Sequence, residues 1–179
     1  MFPSQLKIAV KISIVTLLSS FLGGKDITDT KLHLDLVYTI CAFIVADFAT
    51  TKFNKQITQL DEKIGKKVTA DIIGPSIMFL SKALFSRTPI NMKYILNILF
   101  VVIGFGSYNI LVADKLNSLK IDQDIKDIIR DIAKPFLMLM VSSYLKSGEN
   151  PLNANSIRNA LFTANGFVAN QILVKATGI

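Results

Sequence analysis

Apolar residues gather into six stretches, near residues 8–22, 36–51, 70–85, 94–113, 132–145 and 157–174, with polar residues at the joins. The fourth is the purest: YILNILFVVIGFGSYNILVA runs twenty residues without a charge. An α-helix of that length crosses a hydrocarbon core of about 30 Å. The other stretches carry charges at or near their ends. Asp35 and Asp47 flank or enter the second, Asp71 opens the third, and Lys82 lies close to its end. The fifth has eleven uncharged residues between Lys134 and Lys146. Lysine stems can lie along apolar surface while the ammonium reaches the interface, so these charges are compatible with spans. The stretch MFPSQLKIAVKISIVTLLSSFLGG has the basic-then-apolar order of a secretion signal, but is read as the first structural helix.

Two polar links keep a helical period. Ile57, Leu60, Ile64, Val68 and Ile72 form one stripe, and Ile121, Ile125, Ile128, Ile129 and Ile132 another. Spacing of three and four makes an amphipathic helix. Such helices over 54–67 and 119–130 are expected to lie in the membrane interface before the chain turns inward.

The chain also repeats itself. NILFVVIGFGSYNILV at 97–112 returns as NALFTANGFVANQILV at 159–174, 62 positions later. Upstream, DIIGPSIMFL at 71–80 meets DIAKPFLMLM at 131–140, and PINMKYILN at 89–97 meets PLNANSIRN at 151–159. With one two-residue gap, fifteen identities fall in about forty positions. A fainter copy opens the chain: KIAVKISIVTLLSSFLGG echoes RDIAKPFLMLMVSSYLKSG, and AFIVADF at 42–48 echoes LFVVIGF and LFTANGF. The turns fit, because Pro89–Asn91 and Pro151–Asn153 place a turn former before a helix cap. The predicted fold is all-α: a single membrane domain over 1–179, a six-helix bundle of three repeated antiparallel hairpins at about 5–51, 68–113 and 130–175.

Composition agrees with a membrane. The chain is 51% hydrophobic and 18% charged, against about 25% charged in soluble domains. A net charge of +7 would suit nucleic acid or anionic lipid. The basic links lack interleaved aromatics, so no nucleic acid is expected. With six spans, thirteen of the twenty lysines and arginines share a side with both termini. Positive charge favours the cytosolic side, which puts both termini there. One cysteine and one histidine cannot form an internal disulfide or an ordinary zinc site. Cys41, in VYTICAFIVA, reads as a small buried hydrophobe.

Chemistry-bearing candidates are few. Gly104, Gly106 and Gly166 suit close helix packing. Asp47, aligned with Gly104 and Gly166 through the AFIVADF echo, is an ionisable residue within a span. Asn97, Asn109, Asn159, Asn165 and Asn170 can hydrogen-bond between helices. Lys63, Lys66, Lys67, Lys126 and Arg130 are candidates for binding a partner protein. Ser19–Ser20 and Ser142–Ser143 have no histidine in any motif, so no enzyme and no cofactor are expected.

The short-looped, lysine-, isoleucine- and asparagine-rich, multi-span character resembles small membrane and minor capsid proteins of large icosahedral DNA viruses with an internal membrane. That resemblance implies a structural protein tying membrane or capsid proteins to a bilayer, with oligomerisation open. Internal repeats are equally a habit of transporters and channels. A soluble hydrophobic bundle is the third alternative. A transporter needs a polar path through its middle. A scaffold needs tight packing, with polar groups at its rims.

Overall fold

The computed structural model describes residues 4–64, 69–147 and 153–177. Every regular element among these residues is helical. They are α1 (Ser4–Leu22), α2 (Thr30–Lys52), α3 (Asn54–Ile64), α4 (Thr69–Phe85), α5 (Met92–Ser118), α6 (Gln123–Ser147) and α7 (Ala154–Thr177). Helix α5 is α-helical to Tyr108, passes through a π-helical turn at Asn109–Ala113 and closes with Asp114–Ser118.

The helix starts repeat in register. The Asp29 side chain accepts the amide of Lys31 at 2.9 Å, Asn91 Oδ1 that of Tyr94 at 2.9 Å, and Asn153 Oδ1 that of Ser156 at 2.7 Å. These three caps are spaced by 62 residues each, and each satisfies an amide that the first turn leaves without a partner. Two helix ends also match. After α1, Gly24 takes φ +72° and the Lys25 amide donates to Ser20 O. After α4, Arg87 takes φ +54° and the Thr88 amide donates to Ala83 O. Both are left-handed closures of a helix C-terminus.

Six helices form a closed cycle of neighbours: α1 packs on α2, α2 on α4, α4 on α5, α5 on α6, α6 on α7, and α7 back on α1. Helix α3 stands outside the cycle, against α4 and α2, with Ile57 buried. Burial repeats with the caps. Leu36, Ala42 and Ala46 are buried on α2; Ile98, Gly104 and Tyr108 on α5; Ala160, Gly166 and Asn170 on α7. Each trio lies 62 residues from the next.

This register corrects the alignment of the first copy. Ala42, not Asp47, stands where Gly104 and Gly166 stand, and Phe43 matches Phe105 and Phe167. The echo anchored on Phe48 was five residues out, because several phenylalanines offer competing matches. The second link is also different. Residues 123–130 begin the unbroken helix α6 and do not form a separate interfacial helix. Once its amides pair into the α6 ladder, nothing interrupts them before Pro135, which brings no N–H to that ladder. The first link is a distinct helix, since Phe53 caps α2 and separates it from α3.

Among the described residues, three helices are long and apolar enough to cross a membrane: α1 over Gln5–Leu22, α2 over Thr30–Lys52 and α5 over Met92–Ser118, with mean hydropathies of 1.5, 1.7 and 2.1. The apolar part of α4, Ile72–Phe85, is shorter. Six such spans were expected. In α7 the asparagines lower the hydropathy; in α6 Lys134 and Asp131 do so.

The protein turns its apolar residues outward. Its surface measures 11173 Å², against about 8,600 Å² expected for a compact soluble chain of this size. Phe21, Phe48, Leu84, Met92, Ile110 and Ile172 are each more than half exposed. Among the described residues, buried positions are mostly alanine, glycine and single aliphatic residues, and no large side chain is completely buried.

Candidate functional site

Two features stand out: close seams between successive pairs of helices, and two cavities at one end of the cycle.

The seams are built on small residues. A Cβ placed on Gly104 would lie 2.6 Å from Met138 O and 2.8 Å from its Cα. One on Gly166 would lie 3.0 Å from both Val15 Cα and Val15 O. Backbone therefore touches backbone where α5 meets α6 and where α7 meets α1. In the third seam Ala42 and Ala46 cluster with Met78, and Phe43 packs around them. Val15, Met78 and Met138 are equivalent in the repeat, so the three seams use matching positions. Gly106 differs: a Cβ there would meet nothing within 4 Å, so packing does not require glycine at that position.

Two lysines inside helices find matched partners. Lys134 Nζ lies 5.9 Å from the centre of the Phe105 ring, and Lys11 Nζ lies 5.5 Å from that of Phe167. Both distances allow a cation–π attraction. In the α2–α4 seam the lysine position is Gly74, and a Cβ there would be 3.7 Å from Thr50 Cγ2.

The larger cavity, about 420 Å³, is lined by α5, α6 and α7. Phe100, Val101 and Leu139 make its apolar wall; Asn97, Ser142, Ser143, Lys146, Ser156 and Asn159 supply its polar groups. The smaller, about 300 Å³, is lined by α2, α4 and α5 and holds Asp35, Lys82, Thr88, Tyr94 and Asn97. Each cavity touches two helices that are not neighbours in the cycle, plus the helix between them. The two share Asn97 and Val101. Both therefore lie on the inner side of the ring, where the N-terminal turns of α2, α5 and α7 meet the C-terminal turns of α4 and α6.

Within the smaller cavity, Lys82 Nζ contacts both carboxylate oxygens of Asp35, at 2.8 and 2.9 Å. The Tyr94 hydroxyl donates to Phe79 O at 2.8 Å, tying α5 to α4. In the larger one, Ser143 and Ser156 hydroxyls lie 3.3 Å apart, between α6 and α7. Asp35, Asn97 and Asn159 occupy equivalent positions 62 residues apart. Sequence reasoning named Asn97 and Asn159 but missed Asp35; counting from the caps would have found it. The Lys82 pairing and the serines carried no comparable signal.

The remaining candidates are scattered. Asp47 is half-buried on α2 and lines neither cavity. Asn109 opens the π-helical turn and Asn165 is exposed. Asn170 is buried, and its Oδ1 has no partner among the described residues. Lys63 is exposed on α3, whereas Lys66, Lys67 and Pro151 lie outside the described residues. Lys126 and Arg130 have partners within the chain: Lys126 donates to Asn117 O at 3.0 Å, and Arg130 sits 3.0 Å from Asp127. Cys41 is exposed, not buried, because Ala42 and Ala46 occupy the packed face of α2. No group of metal-binding side chains occurs among the described residues.

No protein-family model matches the chain, and no curated protein or solved structure shows significant similarity to it.

Proposed function

We propose that this chain is a multi-pass integral membrane protein with a structural role. Three helical hairpins, at about 5–51, 68–113 and 130–175, stand in the bilayer as a pseudo-threefold ring, with both termini and α3 on the cytosolic side. The observation that carries this reading is the set of three matched seams. Ala42, Gly104 and Gly166 each pack on the first helix of the next hairpin, and the last seam closes on the first. Close backbone contact through small residues is how helices associate where lipid removes the hydrophobic drive between them. The outward apolar residues then face acyl chains, and α4, α6 and α7 cross with the support of their neighbours.

The scaffold role rests on where the polar groups stand. The larger cavity reaches Val101 and Leu139, and the smaller one Val101 and Phe79, on one side of the seams. Beyond them, Gly104 presses on Met138. A transporter or channel is the second reading, favoured by the cavities themselves and by the π-helical turn in α5. The partners are membrane or capsid proteins, held through α3 and residues 65–68; in a virion with an internal membrane they would belong to the shell.

The native cysteine gives the test without mutagenesis. Cys41 lies mid-way along α2 on its outer face. In intact membranes it should resist a water-soluble maleimide and react with a lipophilic one. Rapid labelling by the water-soluble reagent would mean a soluble bundle. For the partner, reversing charge at Lys63, Lys66 and Lys67 together should weaken assembly and leave membrane insertion intact.

A further inference from the structure

We infer that the larger cavity binds an anionic group, a phosphate or carboxylate carried on a short apolar body. Its described polar groups include the Lys146 ammonium, the amide nitrogens of Asn97 and Asn159, and the Ser156 hydroxyl, which lies 3.3 Å from that of Ser143; the Ser142 hydroxyl already donates to Leu139 O at 3.1 Å. No carboxylate is among them. Asp35, in the adjoining cavity, has both oxygens on Lys82, so among the described lining residues Lys146 is the charged group of the larger cavity. Hydroxyl and amide donors around one ammonium are the chemistry of charge-assisted anion binding. About 420 Å³ falls within the range of small-molecule sites, roughly 300–1,000 Å³. The apolar wall of Phe100, Val101 and Leu139 favours an amphiphile over a bare inorganic ion. Two sources share this chemistry: the headgroup region of an anionic lipid, and a soluble phosphate ester or organic acid. The inference stands on the cavity and does not depend on the scaffold role.

The test uses the full chain purified in a neutral detergent. Calorimetric titration is made with hexyl phosphate, inorganic phosphate, dihexanoyl phosphatidate and dihexanoyl phosphatidylcholine. At least one of the two anionic amphiphiles should bind more tightly than inorganic phosphate, and phosphatidylcholine should bind weakest. Tighter binding of phosphatidate identifies a lipid source; tighter binding of hexyl phosphate identifies a soluble one. Lys146→Gln should weaken binding ten-fold or more, and Asn159→Leu several-fold. Lys93→Gln, which removes the same charge from the same end without touching the cavity, should leave affinity unchanged. The inference is overturned if no anion binds, if phosphatidylcholine binds as well as phosphatidate, or if Lys93→Gln matches Lys146→Gln. Unchanged helicity and thermal midpoints for these surface variants separate loss of binding from loss of fold.

Discussion

The α2–α4 seam and the α5–α6 seam occupy equivalent places in the ring and are held in different ways. In the second, Gly104 lets two backbones touch, and Lys134 covers Phe105 nearby. In the first, Ala42 keeps a methyl group between the helices, Met78 fills against it, and Gly74 stands where the other seams have lysine. What the first seam has in its place is the Asp35–Lys82 ion pair, where the other pairs of equivalent positions carry asparagine and serine. One geometry thus tolerates two distributions of chemistry: contact in mid-seam with a cation on one ring, or a looser middle with an ion pair at the rim.

The largest effect should come from crowding the glycine seam. Gly104→Val puts carbon atoms into the space held by the Met138 backbone, which cannot yield as a flexible side chain would. Overpacking costs typically 1–3 kcal/mol and at times more, so a loss of about 3 kcal/mol is expected in detergent unfolding. The neighbouring Gly106→Ala should instead be neutral or stabilise by up to about 1 kcal/mol through helix propensity. Equal destabilisation by the two would mean that the seam is not where the structure puts it.

Gly166→Ala should cost less than Gly104→Ala, about 1–2 kcal/mol, because its nearest obstacle is at 3.0 Å and not 2.6 Å. At the helix ends, Arg87→Gly should stabilise by about 1 kcal/mol, relieving a left-handed residue that carries a Cβ. Thermal midpoints in one detergent decide both. Asp35→Asn, which breaks the distinguishing ion pair, should cost about 1 kcal/mol, since Asp35 is more than half exposed and Lys82 is partly so. A much larger loss would make the rim of the first seam its main support.

The smallest effect concerns pH in the turn between α1 and α2. The hydroxyl and amide of Thr28 both donate to Asp26 Oδ1, at 2.7 and 2.8 Å, and hold its carboxyl below the ordinary 3.8. A depressed folded pKa gives stability that is present above the unfolded value and lost as pH falls through the folded one. Amide exchange at Thr28 should therefore stay slow near pH 5, relative to intrinsic rates, and lose that protection as the pH falls below the free-aspartate value. Asp26→Asn should remove the pH dependence.

Much of this contrast could be read from residues before any coordinates. The phrases around Gly104 and Gly166 are long and share their spacing, so both seams were visible as one repeated small residue. The first copy was not, because AFIVADF offers two phenylalanines and only one belongs to the register. The caps Asp29, Asn91 and Asn153 would have chosen Phe43, since a cap is fixed by local hydrogen bonding while apolar residues exchange freely. The cavities were half legible: asparagines within apolar helices announce themselves, but serines pairing across α6 and α7 look like any other serines. The contacts of Lys126 and Arg130 within the chain were hidden for a related reason. Charge in a polar link signals exposure, and sequence does not reveal that a nearby carbonyl or carboxylate already holds it.

The ring closes by placing α7 against α1, the last helix of the chain against the first. During synthesis α1 must wait, with the backbone at Val15 uncovered, until Gly166 has been made. Where copies are crowded, the α7 of a second copy can reach that groove first. The interface it would form is the native one, so nothing in its chemistry penalises the exchange; only the local concentration of the chain's own α7 opposes it. The device that seals the monomer is thereby also a route to domain-swapped rings of two or more chains, with their abundance set by how densely the protein is made.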